Sequence, residues 1–430
     1  MSDYSTSWAD VQTAVQEVIQ ENDDLRSKVP TGKFVDPVIG SDTAAGYQLA
    51  PWKTLTTIVA SIKPQPGDTI WLRGGVYSGY FEHSIGGTPE APITFRALPG
   101  EIVIIDGYLA VGMPNIIWRD VQFRYSAWTT RVSTQSGSNP SDLPNRYVRD
   151  DAANVKFINC ILHDMRSPYM SYLGSGLHAY GCISFNHGWK APDRAHGHSF
   201  YVQNDPTLPA LIEDCIFFDS YSYNYHSYAE GTELLGNLTV KGCVSFKAGS
   251  LGGVALSGYL FGRDDILVDN LTLDSNLSYG NSVALQFYGK GATNVHLRNN
   301  IFPEGKTGIY TAVEETGNLY SSAGDRIIIR PNLFQTNRAT ITIYNASRVT
   351  SLRVMQTLLP AGMPYRLINV QGGVDTNGLW RDLVYGVIAS DGSITVDMTA
   401  ASHKVSAPIK GTAPATTFPN FGCLILEGLS

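Results

Sequence analysis

The first thirty residues and the rest of the chain follow different hydrophobic periods. Trp8, Val15, Asn22 and Val29 fall seven apart, and Val11, Val18 and Leu25 form a second series three residues later. This is an a/d heptad seam, and it predicts a helix over residues 1–30. Asn at one a position suits a short coiled coil that joins copies of the chain through residues 8–29, because a buried Asn fixes register at a cost in stability. A lone amphipathic helix packed on the body is the alternative. Pro30-Thr31-Gly32 ends the pattern. From Phe34 the chain becomes short β-prone runs separated by Gly, Pro, Asn and Asp, with one helical insertion over residues 52–62. Strands are predicted over 69–73, 93–96, 102–105 and 116–123.

A repeat then organises the middle of the chain. Asn159-Cys160-Ile161-Leu162, Gly181-Cys182-Ile183-Ser184-Phe185, Asp214-Cys215-Ile216-Phe217-Phe218 and Gly242-Cys243-Val244-Ser245-Phe246 share one pattern. Ser275-Asn276-Leu277-Ser278-Tyr279, Asn299-Asn300-Ile301-Phe302 and Pro331-Asn332-Leu333-Phe334 continue it, at steps of 22 to 33 residues. Steps of this size, each holding two or three short strands, fit coils of a parallel β-helix in which equivalent residues stack. Cys160, Cys182, Cys215 and Cys243 then form an interior ladder, each a small buried hydrophobe, continued by Asn276, Asn300 and Asn332, whose amides bond along the stack. After residue 345 the repeat is lost. Predicted strands over 365–371, 383–389, 393–398 and 421–427, with a Pro/Thr-rich connection over 407–419, make a small antiparallel module that closes the last coil. The expected organisation is all-β: an N-terminal helix (1–30), a parallel β-helix (31–345) and a C-terminal β-module (346–430).

Composition gains a cause from this architecture. Forty-two glycines and only 16 % charged residues suit coils whose corners need Gly or Asn and whose stacked ladders would set like charges against each other. A balance of 31 basic and 38 acidic residues, net −7, has the wrong sign for neutralising phosphates, so nucleic acid is not an expected partner. No apolar run approaches the ~20 residues that span a bilayer. Met1-Ser2-Asp3-Tyr4 lacks the basic start and apolar stretch of a signal peptide. The expected setting is extracellular or on a virion, the latter favoured by the heptad seam.

The stretch Phe34-Val35-Asp36-Pro37, Gly40-Ser41-Asp42, Pro51-Trp52-Lys53-Thr54-Leu55, Pro66-Gly67-Asp68-Thr69-Ile70-Trp71-Leu72-Arg73-Gly74-Gly75-Val76-Tyr77, Ala91-Pro92-Ile93-Thr94 and Pro99-Gly100-Glu101 resembles the opening of right-handed parallel β-helix proteins. That superfamily includes pectate-lyase-like enzymes, the alginate lyase and chondroitinase B group, and phage tailspikes. A narrower likeness lies at Gly197-His198-Ser199-Phe200-Tyr201-Val202-Gln203-Asn204 followed by Tyr225-His226-Ser227-Tyr228. It is similar to a GHxxYxQN…HxY pattern in uncharacterised bacterial β-helix proteins. The resemblance implies a fold and the position of a site. It does not imply a reaction, because one fold hosts many.

Six of the nine histidines (His163, His178, His187, His196, His198 and His226) fall within one short stretch. Stacking of coils puts His178, Tyr201 and His226 on one outer face, and Tyr221, Tyr223, Tyr225, Tyr228, Tyr259 and Tyr288 add rings that stack on sugars. Three readings follow. In the first, a polysaccharide is cleaved: His198 or His226 is the base, Tyr201 the acid or base, and Arg263, Arg194 or Lys190 neutralises a uronate carboxylate. Glu230, Glu233 and Asp193 admit hydrolysis by a carboxylate pair instead. Tyr228, Tyr288 and Trp189 bind substrate, Trp189 and Lys190 from an insertion beside the cluster. In the second, His196 and His198, two apart on a strand, share a face and hold zinc with His178 or His226. Calcium among Asp and Glu has no compact acidic loop behind it. In the third, the same face binds glycan without turnover, as in an adhesin or a virion attachment protein.

Overall fold

The structure, a computed structural model, describes residues 31–58, 63–140, 148–172, 174–229 and 235–429; the helix and coiled-coil seam expected over 1–30 lie outside them. Of the helix expected over 52–62, the single turn Leu55–Thr57 is described.

Eleven strands from Lys33–Val35 to Tyr310–Thr316 stack in parallel as a first sheet. A further sheet of fifteen strands divides at its long strand Val103–Val111. That strand pairs through Ile104–Asp106 with Gln122–Arg124 and through Leu109–Val111 with Val148–Asp150. From there two parallel stacks separate. The second sheet continues as Ile161–His163, Ile183–Phe185, Ile216–Phe218, Val244–Phe246 and Leu277–Tyr279. The third continues as Tyr169–Met170, Phe200–Val202, Tyr225–Ser227, Tyr259–Phe261 and Leu285–Phe287. Each coil gives one strand to each sheet, which makes a right-handed parallel β-helix.

The corner between the first and second sheets explains the sequence repeat. From Asp120 onward its first residue takes a positive φ: Asp120 59°, Asn159 52°, Gly181 62°, Asp214 51°, Gly242 66°, Ser275 58° and Asn299 53°. Only Gly, or a short side chain that bonds its own backbone, enters that region at low cost. The next residue turns inward and forms the ladder. Each cysteine thiol contacts carbonyls of the coil before, as Cys182 Sγ does Phe157 O at 3.3 Å. Asn276 Oδ1 accepts from Cys243 N at 3.0 Å while its Nδ2 donates to Val240 O at 2.8 Å. The last rung is Asn318, which accepts from Asn300 N and Nδ2 at 3.0 and 2.8 Å. Asn332 is not a rung. It follows Arg326–Pro331, a strand that pairs antiparallel with Arg338–Tyr344, so the parallel stack ends more than twenty residues before the expected boundary at 345. The strand expected over 116–123 is likewise two, Ile116–Arg119 and Gln122–Arg124, broken by the same corner at Asp120-Val121.

Inside, apolar residues stack coil upon coil. Phe157, Ala179, Ile212, Val240, Leu273 and Leu297 form one such column on the first sheet, all fully buried. Each large member contributes about 1.5–3 kcal/mol of burial. The chain divides into two compact units. One is the β-helix, Thr31–Ser322, together with the returning segment Ala407–Pro414. The other contains Ala323–Ser406 and Ala415–Ser430. Its five-stranded antiparallel sheet runs Arg326–Pro331, Arg338–Tyr344, Phe421–Gly428, Pro364–Asn369, Leu383–Val387, with Ser351–Met355 and Ser393–Asp397 paired beside it.

Candidate functional site

On the third sheet the residues flanking each strand's centre point into the core, as Phe200 and Val202, Tyr259 and Phe261, and Leu285 and Phe287 do. The central residue therefore faces out. Parallel register lines these central residues up as Arg149, Tyr169, Tyr201, His226, Leu260 and Gln286. His198 joins the column from the turn before Phe200–Val202. Its ring stacks on Tyr201 at 5.1 Å and meets His226 edge-on at 4.9 Å. Tyr223 and Tyr228 close the cluster, 5.5 and 5.4 Å from His226. Arg263 lies over Tyr228 at 5.4 Å and is fixed by Ala229 O at 3.2 Å and Asp265 at 3.2 Å. Toward the N-terminal coils the face continues with Tyr169 against Tyr201 at 5.2 Å, Arg166 over Tyr169, and Arg149 over Tyr172 at 4.4 Å.

Burial sets the charge of this face. It pushes the His226 imidazole down to about 3. His198 is also held well below the usual imidazole value, first by burial and then by repulsion from His226 and Arg194. Both rings are therefore neutral at neutral pH. Nδ1 of each is buried without a hydrogen-bond partner, so each imidazole keeps a nitrogen uncommitted. Burial also raises the Tyr223 phenol, against the pull of Arg194. Beneath the face, the inward carboxyl of Asp150 is pushed up to about 8 by burial and adds no charge at neutral pH.

Of the residues expected at the site, His198, Tyr201, His226, Tyr228 and Arg263 lie close together in the structure, and Arg263 is also paired with Asp265, the turn contact its sequence Gly262-Arg263-Asp264-Asp265 equally allows. His178 is elsewhere: its strand His178–Tyr180 belongs to the first sheet, and its ring faces Glu213 at 3.7 Å. Trp189 is no exposed sugar platform, being buried against Tyr125 and Trp128 with its indole N–H on Ser138 O at 3.0 Å. His196 and His198 do not share a face, because Gly197 at φ 94° ends the two-residue strand Ala195–His196 between them. His196 stacks on Trp189 at 5.1 Å and pairs with Asp193 at 3.3 Å. Among the described residues, no three or more His, Cys, Asp or Glu are grouped to hold a metal ion, so the zinc set and a calcium cage are not assembled there. Lys190 and Arg194 stand on a hairpin beside the cluster. Tyr288 is exposed two coils from Tyr228, and Glu230 and Glu233 lie outside the described residues. The sequence reading missed Arg149, Arg166, Tyr169 and Tyr172. For Arg149 and Tyr169 the signal was an Arg or Tyr at the coil position that Tyr201 and His226 occupy, hidden by unequal loops, while Arg166 and Tyr172 flank the strand Tyr169–Met170.

No protein-family profile matches the chain. Pectate lyase PEL9 of Emericella nidulans is 43 % identical over 77 residues, 17 % of this chain and 18 % of that protein. Among solved structures, a rhamnogalacturonan lyase superposes with a TM-score of 0.50 at 17 % identity, over 63 % of this chain and 74 % of that one. A pectate lyase, Pel9A, gives 0.46 at 14 % identity, over 68 % and 82 %. The chain thus spans about a fifth of the pectate lyase it matches in sequence, and the likeness to the rhamnogalacturonan lyase shows the fold. Among the described residues no helix is long and apolar enough to cross a membrane.

Proposed function

We propose that the outer face of the third sheet is the groove of a polysaccharide lyase that cleaves a uronate-containing chain by β-elimination. The observation that carries the reading is the juxtaposition of two neutral, buried imidazoles with an uncommitted nitrogen each, a tyrosine that stacks on one and stands in register with the other, and an arginine fixed over the neighbouring ring. His226 takes the proton from the carbon α to the uronate carboxylate. The carbon–oxygen bond on the adjacent carbon breaks as the new double bond forms, and Tyr201 O–H gives its proton to the departing oxygen. Arg263 neutralises the carboxylate, which lowers the cost of charge on the carbanion. His198, stacked on Tyr201 and edge-on to His226, holds both rings in place. Tyr169 and Tyr228 offer flat apolar faces to flanking sugars. The short, strong sequence match to a pectate lyase supports the substrate class.

Incubation with a panel of galacturonate, mannuronate and glucuronate polymers, followed at the absorbance of the unsaturated product, tests the proposal. Product from one polymer, abolished in both His226→Gln and Tyr201→Phe, is the expected result. Binding of a polymer without product from any would sink the lyase reading in favour of a glycan-binding protein.

A further inference from the structure

A second concavity opens beside the face. The hairpin Trp189–Lys190 with Ala195–His196, the loop at 221–223 and the loop at 252–256 enclose about 370 Å³, within the roughly 300–1,000 Å³ of small-molecule sites. Lys190, Arg194, Tyr221, Tyr223, Val254 and Leu256 are among the residues that line it. We propose that this cleft is a subsite for a carboxylate-bearing sugar unit, with Lys190 and Arg194 taking the acid group while Tyr223 and Leu256 take the apolar face of the ring. The proposal rests on reading the third-sheet face as a glycan groove.

Three observations carry it. First, the cleft and the face share a wall: Tyr223 lies 5.8 Å from the His198 ring and 5.5 Å from His226. A chain on the Tyr201–His226 column therefore has a unit or branch within reach of the cleft. Second, the cleft carries cationic charge to spare. The one carboxylate lining it, Asp193, is engaged by Gly137 N at 2.8 Å and by His196, and Arg194 reaches it only at 3.7 Å. Among the described residues Lys190 has no acidic partner. Third, the hairpin is held rigidly, which reduces the ordering cost of binding. Gly188 and Gly197 approach so closely at the hairpin base that a Cβ on Gly197 would stand 2.2 Å from Gly188 Cα. Lys190 N donates to Arg131 O at 2.8 Å, and Ser133 N to Lys190 O at 2.7 Å. Arg131 is itself buried, bonding Gly188 O at 2.8 Å and the Asp164 carboxylate.

Calorimetric titration of the whole chain with trimers of galacturonate, mannuronate and glucuronate, each as free acid and as methyl ester, tests this. The protein should bind at least one acid about tenfold or more tighter than its ester, the scale of a hydrogen bond to a charged group. The double variant Lys190→Gln/Arg194→Gln should lose that preference, keep its affinity for the ester, and melt with the parent because both side chains are on the surface. A variant that retains the acid preference, equal losses for acid and ester, or no binding of any trimer overturns the subsite. The two readings fail separately. Acid-selective binding lost in the variant, with no unsaturated product from the parent, sinks the lyase and keeps the subsite; product with an unaltered acid preference does the reverse.

Discussion

Acidification is the most informative perturbation of the proposed base. Packing among Tyr201, Tyr223, Tyr228 and His198 holds the His226 imidazole at about 3, against about 6.5 for one in water. At pH 5 an ordinary imidazole is about 3 % neutral, while one held at about 3 is about 99 % neutral. The value of kcat/KM, which follows ionisations of the free enzyme, should therefore stay flat from pH 7.5 to 5, where an ordinary base would lose about thirtyfold. Tyr223→Ser lets water reach the ring, moves its pKa toward 6.5 and should bring an acid limb into that window. The assay is the initial rate of unsaturated product at low substrate concentration across the range. A parent limb with its midpoint near 6.5 refutes the burial argument. An undiminished rate in His226→Gln refutes the assignment of the base.

The same burial carries a stability cost in acid. His83, His187 and His226 are each held at about 3, so the unfolded chain binds more protons than the folded one below pH 6.5, and stability falls with pH from there. At pH 5 the loss is about 2 kcal/mol for each histidine, 1.5 pH units at about 1.4 kcal/mol per unit. A melting temperature of the β-helix no lower at pH 5 than at 7.5 contradicts this. His403 in the C-terminal unit behaves oppositely. Its pairing with Asp382 at 3.0 Å and Asp397 O at 2.8 Å raises its pKa, so its contribution is complete below about pH 6.5 and disappears as pH rises through the raised value; His403→Gln should flatten that alkaline decline in denaturant midpoint. In the ladder, Asn276→Ala strands the Cys243 N–H and Val240 C=O and should cost about 2–5 kcal/mol, whereas Cys243→Ala should cost about 1 kcal/mol; urea midpoints in the reverse order refute the ladder account. Arg131→Met leaves the Asp164 carboxylate buried beside Ile409 N and should cost about 3–5 kcal/mol, with faster proteolysis at 407–414, where Ile409 O loses its Arg131 donor.

Where a position is chemically exacting, the sequence exposes it. The corner residue must enter the left-handed region, which restricts it to Gly, Asn, Asp or Ser from Asp120 to Asn299, and the ladder residue behind it must be small or self-bonding. The pattern misled at Pro331-Asn332-Leu333-Phe334 because a hairpin makes similar demands. There Asn332 Oδ1 accepts from Phe334 N and Gln335 N, both at 3.0 Å. Gly317-Asn318-Leu319-Tyr320 carries the same pattern, but its coil is the shortest, 18 residues from Asn300. The site was legible where chain distance from the corner is informative. Tyr201 follows its corner Cys182 by a strand and a loop and so reaches the third sheet, whereas His178 precedes Cys182 within the first-sheet strand. Periodicity alone does not separate the faces of one coil. Trp189 is expected to bind substrate because it sits in an insertion beside the cluster, yet His196 and Trp128 pack on it, a contact between loops that no local pattern encodes.

The most direct test of the central claim is a crystal structure of the His226→Gln variant with a bound uronate oligosaccharide. The account predicts sugar rings along Tyr169, Tyr201 and Tyr228 on the third sheet, with a carboxylate at Arg263. Sugar bound instead on the first-sheet face, over His178 and Glu213, would contradict it.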